Sequence, residues 1–232
     1  MNSLEQRIGY SFRDGSLPQT AFSHSSYANE VFRDGLMSYE RLEFLGDSIL
    51  GFVTADYLYR TFPKLHEGEL TRLRAELVCE GSLAKVAEKL KLGEELLLGK
   101  GEEAGGGRSR VSIIADIVES LIAAIYLDGG FEAAKSFIHR FVLNDLQAKI
   151  RDNTDYKTRL QEIVQRKKEQ ILAYSVLSES GPDHDKHFTV SVELNGEPLG
   201  TGEGTSKKRA EQAAARQAIE RLYPEELSDL YR

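Results

Sequence analysis

The residues best suited to chemistry are acids at helical spacing. In Tyr39-Glu40-Arg41-Leu42-Glu43-Phe44-Leu45-Gly46-Asp47-Ser48 three carboxylates are threaded through an apolar run. On a helix turning about 100° per residue, Glu40, Glu43 and Asp47 fall within about 60° of one another, and Leu42, Leu45, Ile49, Phe52 and Val53 share the opposite arc. Like charges at neighbour spacing repel, the more so when partly buried, so the stripe calls for a compensating charge. A divalent cation is the simplest compensation; the alternative is a solvated acidic face. A second pair, Asp116 and Glu119, interrupts the otherwise core-like run Val111 to Leu127. Ser112, Ser120 and Ala123 flank the pair and suggest room for an ion and its waters. Ile113, Ile114, Ile117, Leu121 and Ile125 take the core side.

These acids need helices to hold them. The spacing predicts a first acidic helix over Leu36 to Tyr59, a breaker-rich loop from Phe62 to Glu69, and helices over Leu70 to Val78 and Ser82 to Leu92. Glu67, in that loop, is a further candidate acid. His24 lacks partners for base catalysis and reads as structural. Gly99 to Arg110 reads as a mobile glycine-rich loop with two arginines. Without the Gly-Lys-Ser/Thr ending or a preceding strand it is no phosphate loop, so no nucleotide cofactor is expected. The second acidic helix ends at Asp128-Gly129-Gly130, and Phe131 to Ile150 completes an all-helical domain.

The chain is 232 residues long and 41% hydrophobic, enough for a medium domain and a small one. Its net charge of -7 excludes bulk attraction to nucleic acid and leaves that task to local basic clusters. Cys79 is the only cysteine, which excludes an intrachain disulfide, fits a reducing compartment and reads as a small core residue. No apolar signal region opens the chain, and no uncharged apolar run reaches the roughly 18 residues of a membrane span. A soluble, cytoplasmic protein with no membrane partner is expected.

After a polar linker at 151–155 the pattern changes. Tyr156 to Lys168 is helical, Ile171 to Ser178 and His187 to Leu194 alternate as strands, and Asn195-Gly196 signals a hairpin into a third strand over Pro198 to Gly204. Ser206 to Leu222 closes as an alanine-rich helix. The result is an α-β-β-β-α unit. Its last helix opens on Ser206-Lys207-Lys208-Arg209, where cations oppose the macrodipole unless an anion such as phosphate sits there.

Glu40-Arg41-Leu42-Glu43-Phe44-Leu45-Gly46-Asp47-Ser48 resembles the signature of the ribonuclease III family, and Glu67-Gly68 and Asp116-Ile117-Val118-Glu119 resemble its remaining active-site positions in order. Residues 156–224 resemble a double-stranded-RNA-binding domain, with Gln161-Glu162 in the first helix, Gly181-Pro182-Asp183-His184 in a hairpin loop and Lys207-Lys208-Arg209-Ala210-Glu211 in the last helix. Glu211 stands where such domains often carry a basic residue. The resemblance implies a nuclease domain at 3–150, a homodimer, and hydrolysis of both strands of double-stranded RNA by metal-activated water, leaving 5′-phosphate and 3′-hydroxyl ends, in processing of ribosomal and other structured transcripts. It implies Glu43, Asp47, Asp116 and Glu119 as metal ligands, with Glu40 and Glu67 accessory. Oxygen-only ligands suit Mg²⁺, with Mn²⁺ as a substitute, rather than Zn²⁺. Phe44, between the acid stripe and the core arc, is expected to enter a pocket of a second copy. Gln161, Gln165 and His184 are expected to meet successive minor grooves of an A-form duplex, with Ser206, Lys207 and Lys208 on the phosphates between. A duplex-binding regulator without cleavage is the alternative function.

Overall fold

The computed structural model describes residues 3–144, 155–166, 169–182 and 185–224. Expectations for 151–154, His184 and the helical continuation toward Ile150 fall outside the described residues. The chain divides into two compact units, Met1–Lys149 and Ile150–Arg232.

Described elements of the first unit are α1 (Ser3–Ile8), α2 (Ser16–Ala21), the single turn α3 (Ser25–Tyr27), α4 (Glu40–Thr61), α5 (Glu67–Val78), α6 (Glu80–Lys89), α7 (Lys100–Ala104), α8 (Val111–Gly129) and α9 (Phe131–Phe141). Helix α8 is the hub. Ile117, Val118 and every residue from Ser120 to Ile125 are buried, so apolar side chains cover nearly its whole circumference, as befits a helix wrapped by others. Gly130, at φ +81°, supplies the conformation that ends it, and its N–H donates to the Tyr126 carbonyl at 2.8 Å. Helix α4 packs against α8 and buries Leu42, Ile49, Leu50 and Val53. Its first turn carries Glu40 and Glu43 and its last turn Arg60, both favourable to the helix dipole.

Several expectations give way here. Helix α4 begins at Glu40 because Gly35–Met37 winds as a separate 3-10 turn. Helix α5 begins at Glu67 rather than Leu70, since the Glu69 carboxylate reaches back to accept the His66 N–H at 3.0 Å and caps the first turn. Glu67 is therefore helical, not in a loop. Cys79 is exposed, in the extended residue that ends α5 and starts α6, so it is no core residue. The glycine-rich stretch is not loop throughout: α7 occupies part of it, Arg108 chelates Glu103 at 2.6 and 2.9 Å and donates to the Gly93 carbonyl at 2.6 Å, and Arg110 pairs with Glu102 at 2.8 Å. Phe52 is 61% exposed rather than core, its ring 5.8 Å from that of Phe131.

The second unit runs α10 (Tyr156–Gln165), β1 (Leu172–Ser180), β2 (His187–Leu194), β3 (Glu197–Gly204) and α11 (Lys207–Leu222). The strands form one antiparallel sheet in the order β1-β2-β3. Asn195 and Gly196, at φ +53° and +86°, make the tight two-residue hairpin turn whose twist suits the strands. Gly200, Gly202 and Gly204 repeat at every second residue of β3, and a Cβ on any of them would run into the α11 backbone at Ala210, Ala214 or Ala218. Glycine on the strand and alanine on the helix thus let the two pack closely. Leu160, Ile163, Val164, Val190, Val192 and Ile219 fill the core. Glu211 accepts from Lys157 at 2.6 Å and ties α10 to α11.

Candidate metal centre and RNA-facing surface

The close approach of α4 and α8 makes the centre. Gly46 is the crossing point: a Cβ there would lie 2.5 Å from the Glu119 carbonyl carbon and overlap its oxygen. A glycine in a helix interior costs about 1 kcal/mol relative to alanine, and here it lets the backbones meet. Glu43, one turn before Gly46, then faces Asp116 and Glu119, and one carboxylate oxygen from each lies within 4.8 Å of the others. Among the described residues no lysine or arginine is bonded to these three acids. The donor set is all oxygen and half-buried, its charge offset only in part at Asp116 by the Tyr39 hydroxyl and His24, which fits a hard divalent cation.

Their electrostatics agree. Burial, then the charges of Asp47, Glu43 and Asp116, push the Glu119 carboxyl up to about 8. Burial and the charges of Asp116, Glu40 and Asp47 raise Glu43. Burial raises Asp116 too, while a hydrogen bond from the Tyr39 hydroxyl at 3.3 Å opposes the rise. Without a cation, burial and the neighbouring carboxylates favour the protonated form of Glu119.

Of the remaining sequence candidates, Asp47 is exposed and lies outside the three-acid cluster, although its charge is the largest carboxylate influence on Glu119. Glu40 is exposed at the start of α4, its charge felt by Glu43. Glu67 is exposed, accepting from the Thr71 hydroxyl at 2.7 Å. Ser120 and Ala123 do not border the ion site: both are buried, and the Ser120 hydroxyl donates to the Ala21 carbonyl at 2.6 Å. Sequence reasoning missed Tyr39, Gly46 and Glu80, whose charge also bears on Asp116. A glycine inside an otherwise helical run was the available signal for the crossing. Phe44 is 78% exposed.

In the second unit Gln161 and Gln165 are exposed one turn apart on α10. Lys207 and Lys208 are exposed in the first turn of α11, where the Ser206 hydroxyl accepts from the Arg209 N–H at 3.2 Å. Ser206 is thus the cap that fixes the direction of the cationic turn. His184 lies outside the described residues.

Comparison with known proteins defines the class first. Residues 14–146 match the family described as Ribonuclease-III-like, and residues 156–222 match the double-stranded RNA binding motif. A nuclease domain is thus followed by a duplex-RNA-binding domain. Proteins called Ribonuclease 3 from Listeria monocytogenes and Caldanaerobacter subterraneus are 45% and 49% identical over 220 and 226 residues, each comparison covering 94% of this chain and 96% of the relative. The nuclease domain of ribonuclease III from Campylobacter jejuni superposes with a TM-score of 0.58 at 41% identity, covering 62% of this chain and 96% of that one. The chain belongs to the ribonuclease III family. Its activity is endonucleolytic cleavage of double-stranded RNA.

Proposed function

We propose that this nuclease cuts both strands of duplex RNA at a Mg²⁺ centre built from Glu43, Asp47, Asp116 and Glu119, with Mn²⁺ an effective substitute. The observation that carries the reading is the convergence of Glu43, Asp116 and Glu119 from two helices within 4.8 Å, with no bonded cationic side chain among the described residues. A bound divalent ion supplies Lewis-acid stabilisation at the phosphate and makes water a nucleophile at neutral pH. The chain's own part is to hold the acids on rigid helices, half-shielded from water, and to release the Glu119 proton when a cation takes its place. Asp47, exposed one turn beyond Glu43, would complete the ligand set. Glu40 and Glu67 act as accessory acids at the rim. Products carry 5′-phosphate and 3′-hydroxyl ends, and ribosomal and other structured transcripts in the cytoplasm are the substrates.

The functional unit is a homodimer. A phenylalanine left 78% exposed on the helix that bears the acids supports a subunit interface there, and a two-fold axis suits cleavage of two antiparallel strands. A Campylobacter jejuni nuclease-domain structure is described for a region involved in dimer formation, consistent with this reading. We assign residues 3–150 to the nuclease domain, 151–155 to a linker and 156–224 to the capture domain. Gln161, Gln165, His184, Ser206, Lys207 and Lys208 grip the duplex by shape. The test is chelation: EDTA abolishes cutting yet leaves the gel-shift of a long duplex intact, and added Mg²⁺ or Mn²⁺ restores cutting. Cutting that persists in EDTA overturns the reading.

A further inference from the structure

Tyr39 sits immediately before the acidic helix and touches both sides of the centre. Its hydroxyl donates to Asp116 Oδ2 at 3.3 Å, and among the described residues no other side chain donates to Glu43, Asp116 or Glu119. Its carbonyl accepts the Glu43 N–H at 2.8 Å. The residue is itself held at both ends. Its N–H donates to the Ser23 carbonyl at 2.8 Å, and its ring, 3% exposed, packs 5.8 Å from that of His24. His24 is fixed in turn, with Nδ1 2.8 Å from the Ser26 hydroxyl, which also accepts the Gly99 N–H at 2.9 Å. The ring cannot swing without disturbing this packing.

We propose that Tyr39 is a positioning residue for the metal centre: its phenol fixes the Asp116 carboxylate through one oxygen and leaves the other for the ion. The inference rests on the metal-centre reading above. A neutral donor is the chemistry this place requires. Lysine or arginine would orient Asp116 equally well but would cancel the negative field that attracts the cation, whereas a phenol orients the carboxylate and leaves its charge intact. Hydrogen bonds of this kind, one step removed from the ion, typically change affinity about 10- to 100-fold when lost. At 3.3 Å the bond is long, which places Tyr39 at the lower end of that range.

The test is direct Mn²⁺ binding to the full chain, free of RNA, by electron paramagnetic resonance, for the native protein, Tyr39→Phe and Glu119→Ala. Phenylalanine keeps the ring and its packing, and melting in chelator checks the fold. The expected result is binding by the native chain, loss in Glu119→Ala, and about 10-fold weaker binding by Tyr39→Phe at a nearly unchanged melting temperature. In cleavage, the half-saturating Mg²⁺ concentration of Tyr39→Phe should rise by the same factor while kcat at saturating Mg²⁺ changes less than about threefold. Native affinity in Tyr39→Phe overturns the role of Tyr39 and leaves the centre standing, as does a loss of affinity accompanied by a collapse of the melting temperature. A native chain that binds no Mn²⁺, or Glu119→Ala binding as the native does, overturns the centre and this inference with it.

Discussion

Gly46→Ala pits helix propensity against the helix crossing, with opposite signs. Propensity alone predicts a gain of about 1 kcal/mol for alanine in a helix interior. At the crossing, however, the new Cβ would stand 2.5 Å from the Glu119 carbonyl carbon and 3.1 Å from its Cα. Non-bonded carbons are comfortable at about 3.5 Å, and the Glu119 carbonyl oxygen is nearer still, so α4 and α8 must part by at least about 1 Å. Overpacking of this kind costs about 1 to 3 kcal/mol, and the obstacle is backbone rather than a pliable side chain, so the upper half applies. The net expectation is destabilisation of about 1 to 2 kcal/mol, the propensity gain offsetting part of the strain. The same movement draws Glu43 away from Asp116 and Glu119, and a displacement of about 1 Å in a catalytic constellation can cost about 100-fold in rate. Cleavage should therefore fall far more than stability. Thermal melting and single-turnover cleavage at saturating Mg²⁺ read the two effects separately. Gly81→Ala is the control: it lies in the first turn of α6, where a Cβ meets nothing within 4 Å, and should stabilise by up to about 1 kcal/mol without loss of activity. A Gly46→Ala chain that melts higher than native and cuts normally would refute the crossing argument.

Other perturbations report on separate parts of the account. Because the folded pKa of Glu119, about 8, lies above its ordinary value, the metal-free folded chain binds more protons than the unfolded chain in between. The Glu119 contribution to stability in chelator should be fully present below about pH 4.5, decline as pH rises and be lost beyond about 8. Melting scans should show this decline reduced in Glu119→Gln and offset by Mn²⁺; a Gln variant with the native slope contradicts it. Phe44→Ala should shift sedimentation from dimer toward monomer while barely changing the secondary structure, and an unchanged dimer would remove Phe44 from the interface. Lys207→Ala with Lys208→Ala should weaken duplex binding in gel-shifts and lower the salt slope by about 1 per lost phosphate contact, irrespective of RNA sequence. An unaltered slope would take these lysines off the phosphates.

What could be read before the structure followed from local pattern. The period of Leu42, Ile49 and Val53 against Glu40, Glu43 and Asp47 is visible in one segment, as is the Asn195-Gly196 turn with alternating residues on either side. What escaped depends on partners distant in sequence. Gly46 acquires its meaning from the Glu119 backbone, and Tyr39 from Asp116. Ser120 looked like lining for an ion because it is small, but its hydroxyl serves the Ala21 carbonyl. Cys79 followed the helical period of its neighbours although the chain turns at that residue, between α5 and α6. Phe52 fell on the expected core arc, but the face that is buried, marked by Gly46, Leu50, Val53, Thr54 and Leu58, is turned toward the acid stripe and leaves Phe52 at its exposed edge.

The central claim, that these acids are the cutting centre and the second domain the means of capture, is tested most directly by one comparison. A long, perfectly paired RNA is incubated with Mg²⁺ and either the native chain or Glu119→Ala, with parallel gel-shifts in the absence of metal. The account predicts that the native protein cuts, and that Glu119→Ala binds with native affinity and does not cut. Efficient cleavage by Glu119→Ala, or a native chain that binds the duplex but leaves it whole with both Mg²⁺ and Mn²⁺, would contradict it.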